Sequence, residues 1–386
     1  MSTVPPNFEG YLNQSLVPNI PAASRLPQNR LYFCDQFGHA YIYPRNEPLP
    51  TLTNPRPCNR CNGIFRPAEP RANKLSYSMM QTFGQCPRKA YYSYVLGLQR
   101  IPQHDMNPKQ QNTLDAGTLV HHGLETFYRT AGSFAIRSQA AIQAILDRQA
   151  VGDLIIPIEA STDTPRSLEL IINTFAKYFQ HYRHDSLRIV RDSTNQPLVE
   201  IDFTILIEDS DDLHRDSDFP LLFYGIIDGI YELKGKLYNV DHKSTGNISF
   251  ASKIQARVST QHTSYIYAAQ QLLQVELAGG ITNIIGLFKN LEPEKHFLRI
   301  PVTRSERSIE QWRYETIRKF RRYQVSRETN TWDRETIACT MYGSVCPFLE
   351  PCFADSTEME RLSINGNYMK KSGRRDRRVS SQSQSQ

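Results

Sequence analysis

No window of about eighteen apolar residues occurs anywhere in the sequence, which excludes a membrane-spanning helix. The first residues lack a basic region followed by an apolar stretch, so no secretory signal is expected. Cysteine is scarce. Seven in 386 residues is an odd count, too thin for a secreted disulfide scaffold, and reduced thiols able to bind metal are expected instead. No Gly-x-x-x-x-Gly-Lys-Ser/Thr segment is present, so a helicase motor, if one is needed, belongs to another protein.

An excess of one charge is missing as well. The net charge is +6, but Arg361, Lys370, Lys371, Arg374, Arg375, Arg377 and Arg378 against Asp376 supply seven minus one within residues 361–386. Residues 1–360 therefore sum to zero, and attraction for a charged partner has to come from local patches. What is present, 39% apolar residues over 386, suffices for two or three domains with buried cores. An intracellular protein is expected, cytoplasmic or, if viral, in the nucleoid or host cell.

Residues 1–30 hold five prolines and no hydrophobic period, and read as an extended arm. Residues 31–73 are Pro-rich, without a clear helix, and read as an appendage. From 74 to 353 the pattern is that of a folded core, and 354–386 read as a basic, Ser/Gln-rich disordered tail. Within the core, helical character is expected over Ala90–Leu98, over Gly117–Tyr128, and after the cap pair Thr164-Pro165. Val199, Ile201, Phe203 and Ile205 alternate as a half-buried strand should. Leu221–Leu233 and Leu237–Lys243 flank a turn at Lys234-Gly235-Lys236. A helix over Thr260–Leu273, strands over Ile281–Phe288 and His296–Val302, and a helix over Ser305–Tyr323 complete an α/β layered pattern.

The hairpin carries the chemistry. With Gly235 at its centre, Asp228 falls opposite residue 242, within one position of Asp241, and directly opposed Cβ atoms lie about 4.5–5.5 Å apart. Carboxylates that close repel each other unless a cation sits between them. Lys243, two residues past Asp241, shares its strand face. Two hard oxygen ligands and an ammonium suit Mg²⁺ or Mn²⁺ and phosphodiester hydrolysis, with Lys243 acting on the attacking water or on developing negative charge. An exposed hairpin with solvated charges, or a structural Lys243–Asp ion pair, is the competing reading.

These segments resemble the core of the PD-(D/E)XK nuclease superfamily in its RecB-like branch. Gly117-Thr-Leu-Val-His121-His-Gly-Leu-Glu125 resembles the motif whose His contributes to the metal site, and Glu200 stands where the first core strand carries an acid. Asp228 and Asp241-His242-Lys243 match the two central motifs. Gln261-His-Thr-Ser-Tyr265 matches the Gln-x-x-x-Tyr motif that contacts the substrate. The resemblance, over about residues 74–353, implies a mixed central sheet flanked by helices, as in restriction endonucleases. It also implies metal ligation by His121, Asp228 and Asp241, with Glu200 as a further ligand, and strand positioning by Gln261 and Tyr265. The function it implies is a metal-dependent deoxyribonuclease, an exonuclease by preference, acting in DNA recombination, repair or processing on single-stranded DNA or free ends. A separate helicase or recombination protein would be its partner. An inactive nucleic-acid-binding subunit and an RNA-directed nuclease are the alternatives. His242 departs from the pattern, which usually has an aromatic or apolar residue there; it is expected to face away from the acids and to matter little for catalysis.

Cys86 precedes these motifs, and Cys339, Cys346 and Cys352 follow them. One upstream and three downstream thiolates suffice for a [4Fe–4S] cluster, and the cluster-bearing RecB-like nucleases share that layout. Here the first downstream gap is six residues, where many relatives have two. A Cys₄ zinc site and free thiols are the other readings. Cys58-Asn-Arg-Cys61 has knuckle spacing, and with Cys34 and His39 it forms a candidate Cys₃His zinc site.

Overall fold

The structure is a computed structural model, described here for residues 31–34, 40–44, 47–50, 54–58, 61, 63–67, 74–101, 108–152, 154–162, 164–207, 221–289, 293–343 and 345–371. The N-terminal arm, His39 and the end of the basic tail lie outside the described residues.

The chain opens with short strands β1 (Leu31–Cys34), β2 (Ala40–Ile42), β3 (Phe65–Pro67) and β4 (Lys74–Ser76). Helices α1 (Tyr77–Gln85) and α2 (Pro87–Ala90), a π-helical turn at Tyr91–Val95 and strand β5 (Leu98–Arg100) follow. Three longer helices come next: α3 (Pro108–Arg129), α4 (Phe134–Ala150) and α5 (Leu168–His181). Strands β6 (Arg188–Ile189), β7 (Val199–Leu206), β8 (Leu222–Leu233) and β9 (Lys236–Thr245) build the sheet, followed by helices α6 (Phe250–Val258) and α7 (Thr260–Leu273). Strand β10 (Gly279–Gly286), helix α8 (Pro293–His296), strand β11 (Phe297–Val302) and helix α9 (Glu306–Thr329) close the larger unit. A 3₁₀ segment (Thr336–Gly343), α10 (Leu349–Cys352), α11 (Thr357–Ile364) and β12 (Tyr368–Lys370) end the described chain.

Two compact units result, and the chain crosses between them repeatedly. One takes its described residues from 1–70, 91–101 and 332–371, the other from 71–90 and 102–331. The larger unit holds a mixed seven-stranded sheet of order β11-β10-β9-β8-β4, with β6 and β7 also paired to β8. The architecture is therefore α/β with a mixed central sheet flanked by helices, as a restriction-endonuclease-like core requires.

Alternation along the strands assigns the two faces. Tyr231, Val240, Ile281 and Ile285 pack with Leu119, Leu124 and Phe127 of α3, Ile145 of α4, and Ile171 and Phe175 of α5. Their neighbours Asn239 and Thr282 meet His262 of α7 instead, so α7 covers the opposite face. Trp312 of α9 packs its ring 5.6 Å from Phe223 and 5.4 Å from Tyr267 on that side. Gly123 lets α3 approach closely, because a Cβ there would lie 2.7 Å from both Ile145 and Phe175.

Four details differ from the sequence reading. Ser167, not Thr164-Pro165, caps α5, its hydroxyl accepting from Leu170 N at 3.1 Å. Ala90–Leu98 is the end of α2 and a π turn leading into a strand. Helix α4 is not among the expected elements, although its Ala- and Gln-rich run has high helix propensity and Ser133 caps it. Residues 354–371, expected within the tail, contain α11 and β12, the latter paired with β5. Only packing distinguishes that segment, since Tyr368 and Ile364 are fully buried.

Candidate active site and cysteine clusters

The hairpin turn is Lys234-Gly235, with φ of 52° and 76°. Two successive positive φ values match the right-handed twist of the strands and set a two-residue turn. The β8–β9 register then runs from Leu233↔Lys236 to Gly229↔Val240 and stops. Continued by one step, it would place Asp228 opposite Asp241, one residue from the partner expected from a turn centred on Gly235. Instead the Asp228 carboxylate accepts the backbone N–H of His242 at 2.9 Å, and β9 continues through Thr245 against parallel β10. At its other end β8 pairs with both β7 and β4 over residues 222–224. A strand has two edges, so β4 occupies the edge that β9 has left. The site lies in that fork.

Three ligand-bearing groups converge there. His121 of α3, Glu200 of β7 and Asp228 of β8 present one ligand atom each, all within 4.8 Å of one another. His121 Nδ1 lies 3.5 Å from Glu200 Oε1 and 3.6 Å from Asp228 Oδ2. Glu200 has φ of 49°, a left-handed conformation unusual for a residue with a long side chain. The ladder with β8 skips it, pairing Val199↔Gly229 and Ile201↔Ile227. Its carboxylate is only 3% exposed and lies beside that of Asp228.

Asp241 is held separately, its Oδ1 accepting from Lys243 Nζ at 2.9 Å. Burial pushes the Asp241 carboxyl above the usual carboxylate range; Lys243 and His121 draw it back down while Asp228 pushes it further up. Burial alone would weaken the hold of Lys243 on its proton. The carboxylates of Asp241 and Asp228 outweigh burial and raise its pKa above the ordinary lysine value. Lys243 is thus an ammonium, about half-exposed at 49%, aimed by Asp241. On α7, Gln261 Nε2 donates to Tyr265 Oη at 3.2 Å, and burial pushes the Tyr265 phenol up to about 12, keeping it a neutral donor. Glu125, four residues after His121, pairs with Arg129 at 3.0 Å.

Partners not expected from the sequence brace the fork from both faces. His242 faces away from the acids, its ring nitrogens 2.9 Å from Asn283 Nδ2 and 3.3 Å from Tyr231 Oη. On the other face His262 sits 2.7 Å from Thr282 Oγ1 and 3.1 Å from Asn239 Nδ2. Buried polar side chains at alternate strand positions were the signal available for these partners. Burial lowers the two imidazoles to about 3 and about 4. Both are therefore neutral in the folded chain, while the unfolded chain takes up protons first. Their stabilisation is complete above the usual 6.5 and is lost as pH falls through 6.5 towards 4 and 3. Unfolding free energies from denaturant titrations between pH 7 and pH 5 should fall on the acid side by up to about 1.4 kcal/mol per pH unit for each histidine. His262→Gln should remove its share of that slope.

Donor chemistry favours a hard divalent cation in the fork. Two buried carboxylates and an imidazole suit an ion such as Mg²⁺ or Mn²⁺, which takes only a few protein ligands and completes its shell with water and phosphate oxygens. The tight group holds three of the four expected ligands, His121, Glu200 and Asp228; the fourth, Asp241, stands outside it and feels the charge of Asp228.

In the smaller unit β1 pairs with β2 and β3, and the pairing Pro57↔Ile64 closes the Cys58–Cys61 loop. Cys34, Cys58 and Cys61 place their sulfurs within 4.8 Å of one another. Cys61 Sγ lies 3.6 Å from Cys34 Sγ and accepts Gly63 N–H at 3.4 Å. Burial pushes the Cys61 thiol up to about 11; the Gly63 N–H draws it down, while the adjacent thiols add to the rise. A thiol placed like Cys61 deprotonates poorly unless a cation offsets its charge, as a thiolate metal site provides. Cys346 and Cys352 belong to this same unit, beside an aromatic stack of Tyr92, Phe348 and Tyr368 with ring spacings of 5.3 and 5.5 Å. Cys346 N–H donates to Cys339 O at 2.7 Å. Cys86, in the larger unit, caps α1, and its sulfur accepts Lys89 N–H at 3.4 Å.

Among the described residues no helix is long and apolar enough to cross a membrane. A sequence model of the PD-(D/E)XK nuclease superfamily matches residues 74–353. No curated protein matches the chain. Among solved structures, a protein of Eubacterium rectale provisionally called an exonuclease aligns at 12% identity and TM-score 0.38, covering 68% of this chain and 84% of its own. The protein designated SSO0001 aligns at 13% identity and TM-score 0.28, covering 75% and 90%.

Proposed function

Because the chain belongs to the PD-(D/E)XK nuclease superfamily, we propose that it is a Mg²⁺- or Mn²⁺-dependent deoxyribonuclease, acting as an exonuclease on single-stranded DNA or free ends. The observation that carries the reading is the fork itself: His121, Glu200 and Asp228 converge beside an Asp241–Lys243 pair. A divalent cation, when bound, supplies Lewis-acid polarisation of the phosphate and a water of lowered pKa. His121, Glu200 and Asp228 would hold it, with Asp241 completing the acidic side. Asp241 aims the Lys243 ammonium, which orients the attacking water and faces the charge that builds on the phosphate oxygens. Gln261 and Tyr265 offer an amide and a neutral phenol to the phosphate or base of the strand. DNA recombination, repair or processing is the setting in which such an activity serves, with a separate helicase or recombination protein as partner.

The test is cleavage of end-labelled linear and circular DNA with Mg²⁺, Mn²⁺ or a chelator, with RNA in parallel. Metal-dependent release of short products from linear DNA alone is the expected result. Cutting of circles would replace exonuclease with endonuclease, and preference for RNA would redirect the substrate. Binding without cleavage under all conditions would make the chain a nucleic-acid-binding subunit.

The cysteines fit two further metal centres in this reading. Cys86, Cys339, Cys346 and Cys352 are assigned to a structural [4Fe–4S] cluster on their order around the nuclease motifs, in keeping with the RecB-like branch. Cys34, Cys58 and Cys61 are assigned to zinc, on the convergence of three thiols and the N–H from Gly63 to Cys61. Anaerobically purified protein should be brown, releasing iron and sulfide with acid, and should carry one zinc. Cys346→Ser should lose the iron and keep the zinc, and Cys58→Ser the reverse. Colourless protein with zinc alone overturns the cluster.

A further inference from the structure

Beyond the C-terminal end of β9 the larger unit opens into a cleft of about 900 Å³, whose lining includes Lys109, Arg166, Thr245, Asn247, Phe288 and Lys289. It lies past the carboxyl ends of the parallel pair β9 and β10, the position where open α/β sheets bind ligands. Thr245 is two residues from Lys243, about 7 Å along a strand. Cleft and fork are therefore contiguous.

Helix α3 connects them. Its i±4 ridge runs from His121 in the fork to Gly117, where a Cβ would lie 3.4 Å from Ser244 Oγ. The ridge continues to Thr113, whose hydroxyl accepts from Arg166 Nη1 at 2.5 Å, and then to Lys109. Twelve residues of helix span about 18 Å, room for several nucleotides. The facing wall is fixed. Buried Asn112 donates to Ile155 O and Arg166 O, both at 2.8 Å, and accepts Arg166 N–H at 2.9 Å. Asp115 adds a bond from Ile155 N at 2.8 Å. Arg166 is thereby held in place before any ligand arrives.

Charge in the cleft is of one sign. Lys109, Arg166 and Lys289 line it, and no carboxylate does among its described residues. Residues 1–360 are neutral overall, so three cations lining one cleft make a local patch of the kind that attracts a polyanion. Phe288 adds an aromatic group, also lining a neighbouring cavity of about 280 Å³ that contains Lys177 and Glu169. Cations that follow a backbone together with an aromatic side chain for the bases are the combination by which single strands are bound without sequence preference.

We propose that this cleft holds the single-stranded nucleic acid leading away from the hydrolytic fork, with Lys109, Arg166 and Lys289 on its phosphates and Phe288 against a base. The proposal rests on the nuclease reading above and deepens it by assigning the path of the strand.

The test is fluorescence anisotropy with 5′-fluorescein-labelled dT20, and rU20 in parallel, over a range of KCl with Ca²⁺ replacing Mg²⁺. Each single-strand phosphate contact contributes about 0.7 to the slope of log affinity against log salt. The double variant Lys109→Ala/Lys289→Ala should lower that slope by about 1.4, and affinity by about 25-fold at 0.1 M salt. Lys109→Arg/Lys289→Arg should restore both, and Phe288→Ala should weaken binding without changing the slope. Arg166 is left intact because it braces Thr113. An unchanged slope in the double variant, with wild type still cleaving DNA, overturns the strand path and leaves the nuclease reading intact. A reduced slope in a protein that never cleaves does the opposite.

Discussion

Lys243→Ala should lower the cleavage rate about 10²–10³-fold while leaving strand binding within a few-fold, the loss typical of one preorganised charge removed from a transition state. The reason lies in its surroundings. Asp241 accepts from its ammonium at 2.9 Å, and both nearby carboxylates hold the proton on nitrogen. An amine kept charged serves poorly as a base and well as a fixed positive group that orients water and meets developing charge. Lys243→Arg keeps the charge but not its shape or reach, and should recover only part of the rate. Single-turnover cleavage at saturating enzyme separates the two variants from a binding defect. A Lys243→Ala protein cutting at the wild-type rate would remove Lys243 from the chemistry.

Asp241→Asn should have a similar or larger effect on rate, about 10³-fold, and an opposite effect on stability. It removes an acid from beside the cation site and releases Lys243 from its aim, several kcal/mol of transition-state stabilisation in all. Without metal, however, the ionised Asp241 is a burden. Its folded-state pKa is raised by burial, so its contribution to stability is present at low pH and is lost as pH rises out of the usual carboxylate range. At neutral pH an amide of the same shape should therefore melt higher than wild type in chelator. Added Mg²⁺ should raise the wild-type melting temperature and move the variant less, because the gain follows affinity for the folded state alone. Equal melting of the two proteins in chelator would mean that Lys243 already compensates the carboxylate fully.

His242 shows what pattern reading can and cannot supply. Strand alternation places it on the face away from Asp241, and there it lies. That same alternation says nothing of Asn283 and Tyr231, which take its two ring nitrogens from β10 and β8. His242→Leu would take one hydrogen bond from each, while Asn283 keeps Tyr178 Oη at 3.1 Å and Tyr231 keeps Tyr128, so a cost of about 1 kcal/mol per lost bond follows. The residue expected to matter little for catalysis thus matters for the sheet that carries the site. The thiols divide in the same way. Knuckle spacing ties Cys58 to Cys61, but the approach of Cys34 from β1 is set by the β1–β3 pairing.

By itself the sequence determined the types of chemistry this chain can hold. A turn around Gly235 and a period of two, both local properties, bring Asp228, Asp241 and Lys243 together to within one residue of register, and α7 follows from a run of suitable length. Tertiary structure decided how those groups meet. The left-handed Glu200, the parting of β9 from β8 and the α3 ridge that brings His121 to the acids depend on strands and helices far apart in the chain. So does the smaller unit, assembled from three separated segments. Local patterns record which face a side chain takes, whereas a site is made by long-range contacts whose free energy exists only once the core has closed around them.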